Sequence, residues 1–162
     1  MQPIQYMTSL LTFYLKGEIR QEQNFVNLKK PNTILSLIPL GAKKDSIPVS
    51  QLASVESNFK LHFGSLILGA IIAIVGLCLL SDSFLFALIL MLVGVNKVIT
   101  AFETILTIKT TAGEIKNISF LIFDKAKAEL AENQIRQIIS NRLDDTNNRV
   151  QTNRIVEAIN NK

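Results

Sequence analysis

The sequence predicts an α+β membrane protein in which a two-helix transmembrane hairpin splits a β-rich domain closed by a C-terminal helix. Three observations carry this. Two apolar runs, the first without a charge and the second interrupted by Asn96 and Lys97, lie back to back between residues 63 and 102. A strict two-residue alternation precedes them, and a helical stripe of Ala and Ile follows them.

The first run, FGSLILGAIIAIVGLCLL at residues 63–80, has no charge. As a helix of this many residues it would reach about 27 Å, near the ~30 Å hydrocarbon core of a bilayer. Ser81-Asp82-Ser83 supplies a tight turn, and FLFALILMLVGVNKVITAF fills residues 84–102. Lys43, Lys44 and Lys60 precede the hairpin, Lys97, Lys109 and Lys116 follow its second start, and the turn has neither Lys nor Arg. That asymmetry predicts a multi-pass cell-membrane protein with both termini in the cytoplasm.

Within the second run, Lys97 lies near the inner end, where its long stem can carry the ammonium to the headgroups. An ion pathway is the alternative, but no other ionisable residue of the apolar runs would accompany it. Gly69 and Gly76 recur at sevenfold spacing, as do Ala87, Gly94 and Ala101. Such stripes let helix backbones approach closely, so they predict packing of the hairpin on itself. Gly69 with Ala73 forms a further small-residue pair that a second copy or a partner helix could use.

Before the hairpin, residues 1–62 read as the first part of a domain. Short strands are expected at residues 11–16, 24–29 and 33–38, with a loop at 41–45. The clearest strand is 52–63, where Val55, Ser57, Phe59, Leu61 and Phe63 alternate with polar residues and should share the buried face. After it, residues 103–143 complete the domain. Strands at 104–110 and 114–122 are joined by Thr111-Ala112-Gly113, and a helix starts at Asp124 as N-cap. Its stripe is Ala128, Ala131, Ile135 and Ile138, with Glu132 and Arg136 as an exposed pair. Asp144 to Asn148 is expected to break it, leaving 144–162 as a last helix or tail. Neither soluble piece holds enough elements for a core alone, so the two are expected to fold together.

The stretches NLKKPNTILSLIPLGAKKDSIPVSQLASVE and TIKTTAGEIKNISFLIFDKAKAELAENQIRQII, with the hairpin between them, resemble bacterial pleckstrin-homology (PH)-like membrane proteins. The resemblance covers roughly residues 9–143 and implies two antiparallel sheets, seven strands forming a partly open barrel, and a closing helix. It also implies an interaction module. Phosphoinositide-binding members carry a dense basic motif after the first strand. Lys16-Gly17-Glu18-Ile19-Arg20, at the corresponding place, lacks one.

Composition restricts the function. The net charge of +4 suits an anionic surface, and with two Tyr and no Trp there is little to stack on nucleic acid. The only cysteine, Cys78, sits in an apolar run and reads as filler. The only histidine, His62, has no metal-ligand spacing around it and reads as a surface or interfacial residue. No signal peptide, phosphate loop or nucleophile motif is visible. No catalytic, cofactor-binding or metal-binding residue emerges, and no cofactor, small-molecule substrate or nucleic-acid partner is expected.

The expectation is a non-enzymatic scaffold at the inner membrane face that docks a protein or self-assembles, with the bilayer as a further partner. The alternatives are an accessory subunit of a transporter or secretion complex, and a sensor of anionic lipid. For the last, Lys43, Lys44, Lys60 and Lys97 are the candidate headgroup contacts.

Overall fold

A computed structural model describes residues 2–34 and 38–160 of the chain. Seven strands form two antiparallel sheets. The first contains β1 (Ile4–Met7), β2 (Lys16–Glu22), β3 (Phe25–Ile34) and β4 (Ile38–Pro48), in that spatial order. The second contains β5 (Leu52–Leu61), β6 (Phe102–Thr110) and β7 (Ile115–Leu121). Helices α1 (Phe63–Cys78) and α2 (Phe84–Thr100) lie between β5 and β6, and α3 (Lys125–Asn160) follows β7.

One core joins the two sheets. Tyr6, Ile19, Val26 and Ile47 come from the first, and Leu52, Leu106, Ile108 and Phe120 from the second. Ala128, Ala131 and Ile135 of α3 close it. The small side chains of α3 let the helix axis approach the sheets. The alternating burial of β6, with Thr104, Leu106, Ile108 and Thr110 inward, shows a half-buried strand. The ring of Tyr6 lies 4.4 Å from that of Phe120, tying the sheets together across the core. Gly17 has to be glycine, because a Cβ there would run into the Tyr6 ring.

Several expectations need correction. The fold is α+β with two separate small sheets rather than one partly open barrel, since no strand of one sheet pairs with a strand of the other among the described residues. The hairpin exists as two helices but not as two transmembrane spans. With 16 residues in α1 and 17 in α2, no helix among the described residues is long and apolar enough to cross a membrane. At 1.5 Å per residue each reaches only about 24–26 Å, short of a ~30 Å hydrocarbon core. The apolar runs looked longer because residues 79–83 form the turn and Ala101 and Phe102 leave the helix for the strand. The integral-membrane assignment, the multi-pass localisation and the cytoplasmic placing of the termini rested on those spans and fall with them. So does the resemblance to PH-like membrane proteins interrupted by a transmembrane hairpin.

Smaller differences are instructive. Residues 11–16 mostly form turns, and the missed β2 begins at Lys16. Residues 41–45 belong to β4. The strand expected at 33–38 falls partly on residues 35–37, outside the described residues. Phe59 and Phe63 are exposed: β5 contributes only Leu52 and Val55 to the core, so the face that Val55 shares with Ser57 and Phe59 has left the core by Phe59, and Phe63 is already the first residue of α1. Asp124 does not cap α3 from outside but is buried. Its carboxylate accepts the Met7 N–H at 2.7 Å and meets Lys127 Nζ at 2.8 Å, so it ties β1 to the start of the helix. Helix α3 also runs straight through Asp144–Asn148. Arg149 pairs with Asp145 at 3.5 Å, and Thr146 donates to the Arg142 carbonyl at 2.9 Å, so the polar cluster is absorbed by helical i,i+4 contacts.

Candidate interaction surface

The α1–α2 hairpin occupies the place of a turn in an ordinary β-hairpin. β5 and β6 are paired up to Leu61 and Phe102, where the chain departs into α1 and returns from α2. His62 N–H donates to the Ala101 carbonyl at 2.9 Å, closing the base. Beside it, His62 Nε2 and Glu103 Oε1 are 2.8 Å apart.

The seam between the helices is made by backbone proximity. Gly69, Gly76, Ala87 and Gly94 are buried on it. A Cβ on Gly94 would lie 2.6 Å from the Ala73 nitrogen and 2.8 Å from the Gly69 carbonyl oxygen. One on Gly69 would lie 2.8 Å from the Val98 nitrogen and 2.9 Å from Lys97 Cβ. Ala101 is buried at the foot of α2, where it serves the base rather than the middle of the seam. Asn96, which interrupts the apolar run, is buried and accepts a hydrogen bond from Ser9 Oγ at 3.2 Å. It thereby fastens the segment after β1 to α2. The same segment presents Phe13 and Tyr14 to solvent, their rings edge-on at 6.0 Å.

Because glycine and alanine fill the seam, the large side chains point outward. Fourteen large apolar residues are exposed on the two helices, seven on each. Half-exposed side chains of this size together present on the order of 1,000 Å² of apolar surface. A typical monomer shows a largest patch of roughly 300–600 Å², and a standard protein interface takes roughly 800 Å² from each partner. Phe59 extends the exposed apolar surface on to β5. Sequence reading recognised this surface only as lipid-facing helix. Its signal was a run apolar on every side, with small residues confined to one stripe.

The four lysines expected at headgroups fall into two groups. Lys43 and Lys44 lie on β4, opposite Lys30 and Lys29 of β3 respectively. Lys60 and Lys97 flank the hairpin base, Lys60 in register with Glu103. Lys43 and Lys44 on the first sheet and Lys60 and Lys97 at the hairpin base thus belong to different elements. Lys43 lies 3.8 Å from Asp45, which also meets Lys116 at 3.5 Å. Hydrogen bonding to Glu114 and the nearby Asp45 charge hold Lys116 protonated to higher pH than an ordinary lysine. A cavity of about 420 Å³ on the outer face of the first sheet is lined by Arg20, Lys29 and Lys44 but also by Glu18 and Asp45. Arg20 pairs with Glu22 at 3.0 Å, so much of its charge is already matched.

On α3, Ser57 Oγ donates to the Glu132 carboxylate and Arg136 pairs with it. The Ser57 hydroxyl bond, and then Arg136, hold that carboxyl below the usual range despite partial burial. Among the described residues no group of three or more His, Cys, Asp or Glu side chains is placed to hold a metal ion.

No family model, curated protein or solved structure matches this chain, so the resemblance to PH-like membrane proteins has no support from relatives.

Proposed function

We propose that this chain is a non-enzymatic interaction module that self-assembles by covering the outer surface of its α1–α2 hairpin with other copies of itself. The observation that carries the reading is the apolar area of the hairpin, which exceeds what one side of a standard interface needs. Left in water, an area of that size favours association by a large margin, at about 25 cal/mol per Å² before the cost of ordering.

Two features argue for protein rather than hydrocarbon as the cover. The helices are too short to cross a bilayer. A hairpin that only dipped in would place the exposed Ser81-Asp82-Ser83 turn, with its carboxylate, among acyl chains, where a charge costs several kcal/mol. The small β-rich body then presents its core-packed sheets beside the assembly.

The test is light scattering on the full chain after gel filtration, for wild type, Leu88→Lys, Ile89→Lys and the control Phe13→Lys. Wild type and the control should elute above the 18.0 kDa chain mass, and the hairpin variants at or near it. A wild-type monomer that floats with phosphatidylcholine vesicles would overturn the reading and assign the hairpin to lipid.

A further inference from the structure

We infer that two copies pair hairpin to hairpin in antiparallel sense, with the Asp82 carboxylate at the tip of each meeting Lys97 near the base of the other. This inference rests on the self-assembly reading above and specifies the direction of one of its contacts and the ion pairs that set it.

Between Phe63 and Ala101 the only charged residues are Asp82 and Lys97, of opposite sign. Asp82 is exposed in the turn that joins α1 to α2, and Lys97 is half-buried in the last turn of α2. Neither forms an ion pair among the described residues. They cannot reach each other within one chain, because the rise along α2 from Phe84 to Lys97 is about 20 Å.

The two possible directions treat these charges differently. Parallel pairing would set Asp82 beside Asp82 and Lys97 beside Lys97. Antiparallel pairing sets each Asp82 beside the Lys97 of the other copy, giving two ion pairs related by a two-fold axis. Like charges placed together oppose the first arrangement and opposite charges select the second.

The positions fit that contact. A Cβ on Gly69 would lie 2.9 Å from Lys97 Cβ, so Lys97 springs from the midline between the helices, as does the turn that links them. Lys97 also stands about 6 Å short of Ala101, where the base of the hairpin closes. A tip seated at Lys97 therefore stops before the β-sheets, and the two hairpins overlap along most of their length. Both helices of each copy lie in such a contact. Half of the apolar surface of the hairpin, on the order of 500 Å² from each copy, makes on the order of 1,000 Å² in all. That is the low end of specific interfaces, where complementary charge decides orientation.

The test uses the full chain. A carbodiimide, which couples a carboxylate to an amine with no spacer, is added to a mixture of ¹⁵N-labelled and unlabelled wild type. An Asp82–Lys97 peptide with one half labelled should appear, which only a link between chains can give. In sedimentation velocity, Asp82→Lys and Lys97→Glu should each weaken association on the order of tenfold. The two together should restore it to within about threefold of wild type, because the pair re-forms with its charges exchanged. Parallel pairing predicts no such recovery, since every one of these variants would still set like charges together. Far-UV circular dichroism checks the fold of each variant, and the coupling of wild type requires no substitution.

An associated wild type that gives no mixed-label Asp82–Lys97 peptide would overturn the antiparallel pairing, as would a folded double variant no tighter than the single ones. The self-assembly reading would then stand on its own. A wild type that stays at 18.0 kDa at every concentration would remove both.

Discussion

Replacing Gly94 by alanine sets two known effects of opposite sign against each other. Alanine favours a helix interior over glycine by about 0.8–1 kcal/mol, so in an open helix the change stabilises. At Gly94 the new methyl would sit 2.6 Å from the Ala73 nitrogen, 2.8 Å from the Gly69 oxygen and 2.9 Å from Ala73 Cα. All three atoms are backbone, so no side chain can rotate aside and α1 must move away from α2. Overpacking of that kind costs typically 1–3 kcal/mol, which leaves a net destabilisation of roughly 0–2 kcal/mol. Gly64→Ala is the matched control, because nothing lies within 4 Å of its added methyl. Urea unfolding followed by far-UV circular dichroism reads both variants, with the midpoint falling for Gly94→Ala and holding or rising for Gly64→Ala at constant m. A rise of about 1 kcal/mol for Gly94→Ala would mean that the helices do not touch there, and would refute the backbone-to-backbone seam.

Four further outcomes follow from the same contacts. Gly17→Ala should destabilise by about 1–3 kcal/mol in the same unfolding assay, because its methyl meets the buried Tyr6 ring. Burial holds the Tyr6 phenol protonated well above the ordinary tyrosine range, so the unfolded chain ionises first. Stability should therefore be insensitive to this group below about pH 10 and decline as pH rises beyond it; Tyr6→Phe should flatten that decline. The carboxyl of Glu132 is depressed, so its contribution is present above the unfolded-state value near pH 4.3 and fades as acid titrates the folded form. Ser57→Ala should move its NMR-measured titration upward, and an unchanged midpoint would deny the β5–α3 bond. Finally, Gln23 turns between β2 and β3 at φ 51°, a left-handed conformation that glycine adopts without strain. Gln23→Gly should raise the unfolding free energy by up to about 1 kcal/mol.

How much of this was legible in the sequence depends on what each signal reports. β6 and β7 and the α3 stripe were readable because period and burial coincide there, as at Ile118, Phe120, Ala128 and Ile135. The β1–β2 pair was not, since Ile4–Met7 is four residues long and Lys16–Glu22 is mostly polar. Their inward side chains, Tyr6 and Ile19, gain meaning only from partners far along the chain. Asp124 shows a similar limit, because its position suggests a cap while its main bond is to Met7, 117 residues away.

The hairpin shows the reverse case, in which a strong local signal was read too far. An apolar run measures hydrophobicity, but a span also requires uninterrupted helix. The turn takes residues 79–83, and the β6 register takes Phe102. The glycine stripe of the hairpin was identifiable at its spacing, and Gly69, Gly76 and Gly94 lie where α1 and α2 meet. The lysines carried no comparable geometry. Lys43 and Lys44 stand on β4, the end strand of its sheet, where exposed lysine also discourages pairing with another chain.

Sedimentation velocity of the unmodified full-length chain over a dilution series tests whether the hairpin surface is covered by other copies. Self-assembly through the hairpin gives a weight-average mass that rises with concentration from 18.0 kDa toward a whole-number multiple of it. A single species of 18.0 kDa at every concentration would contradict it, because the apolar surface of the hairpin would then remain uncovered by any other copy.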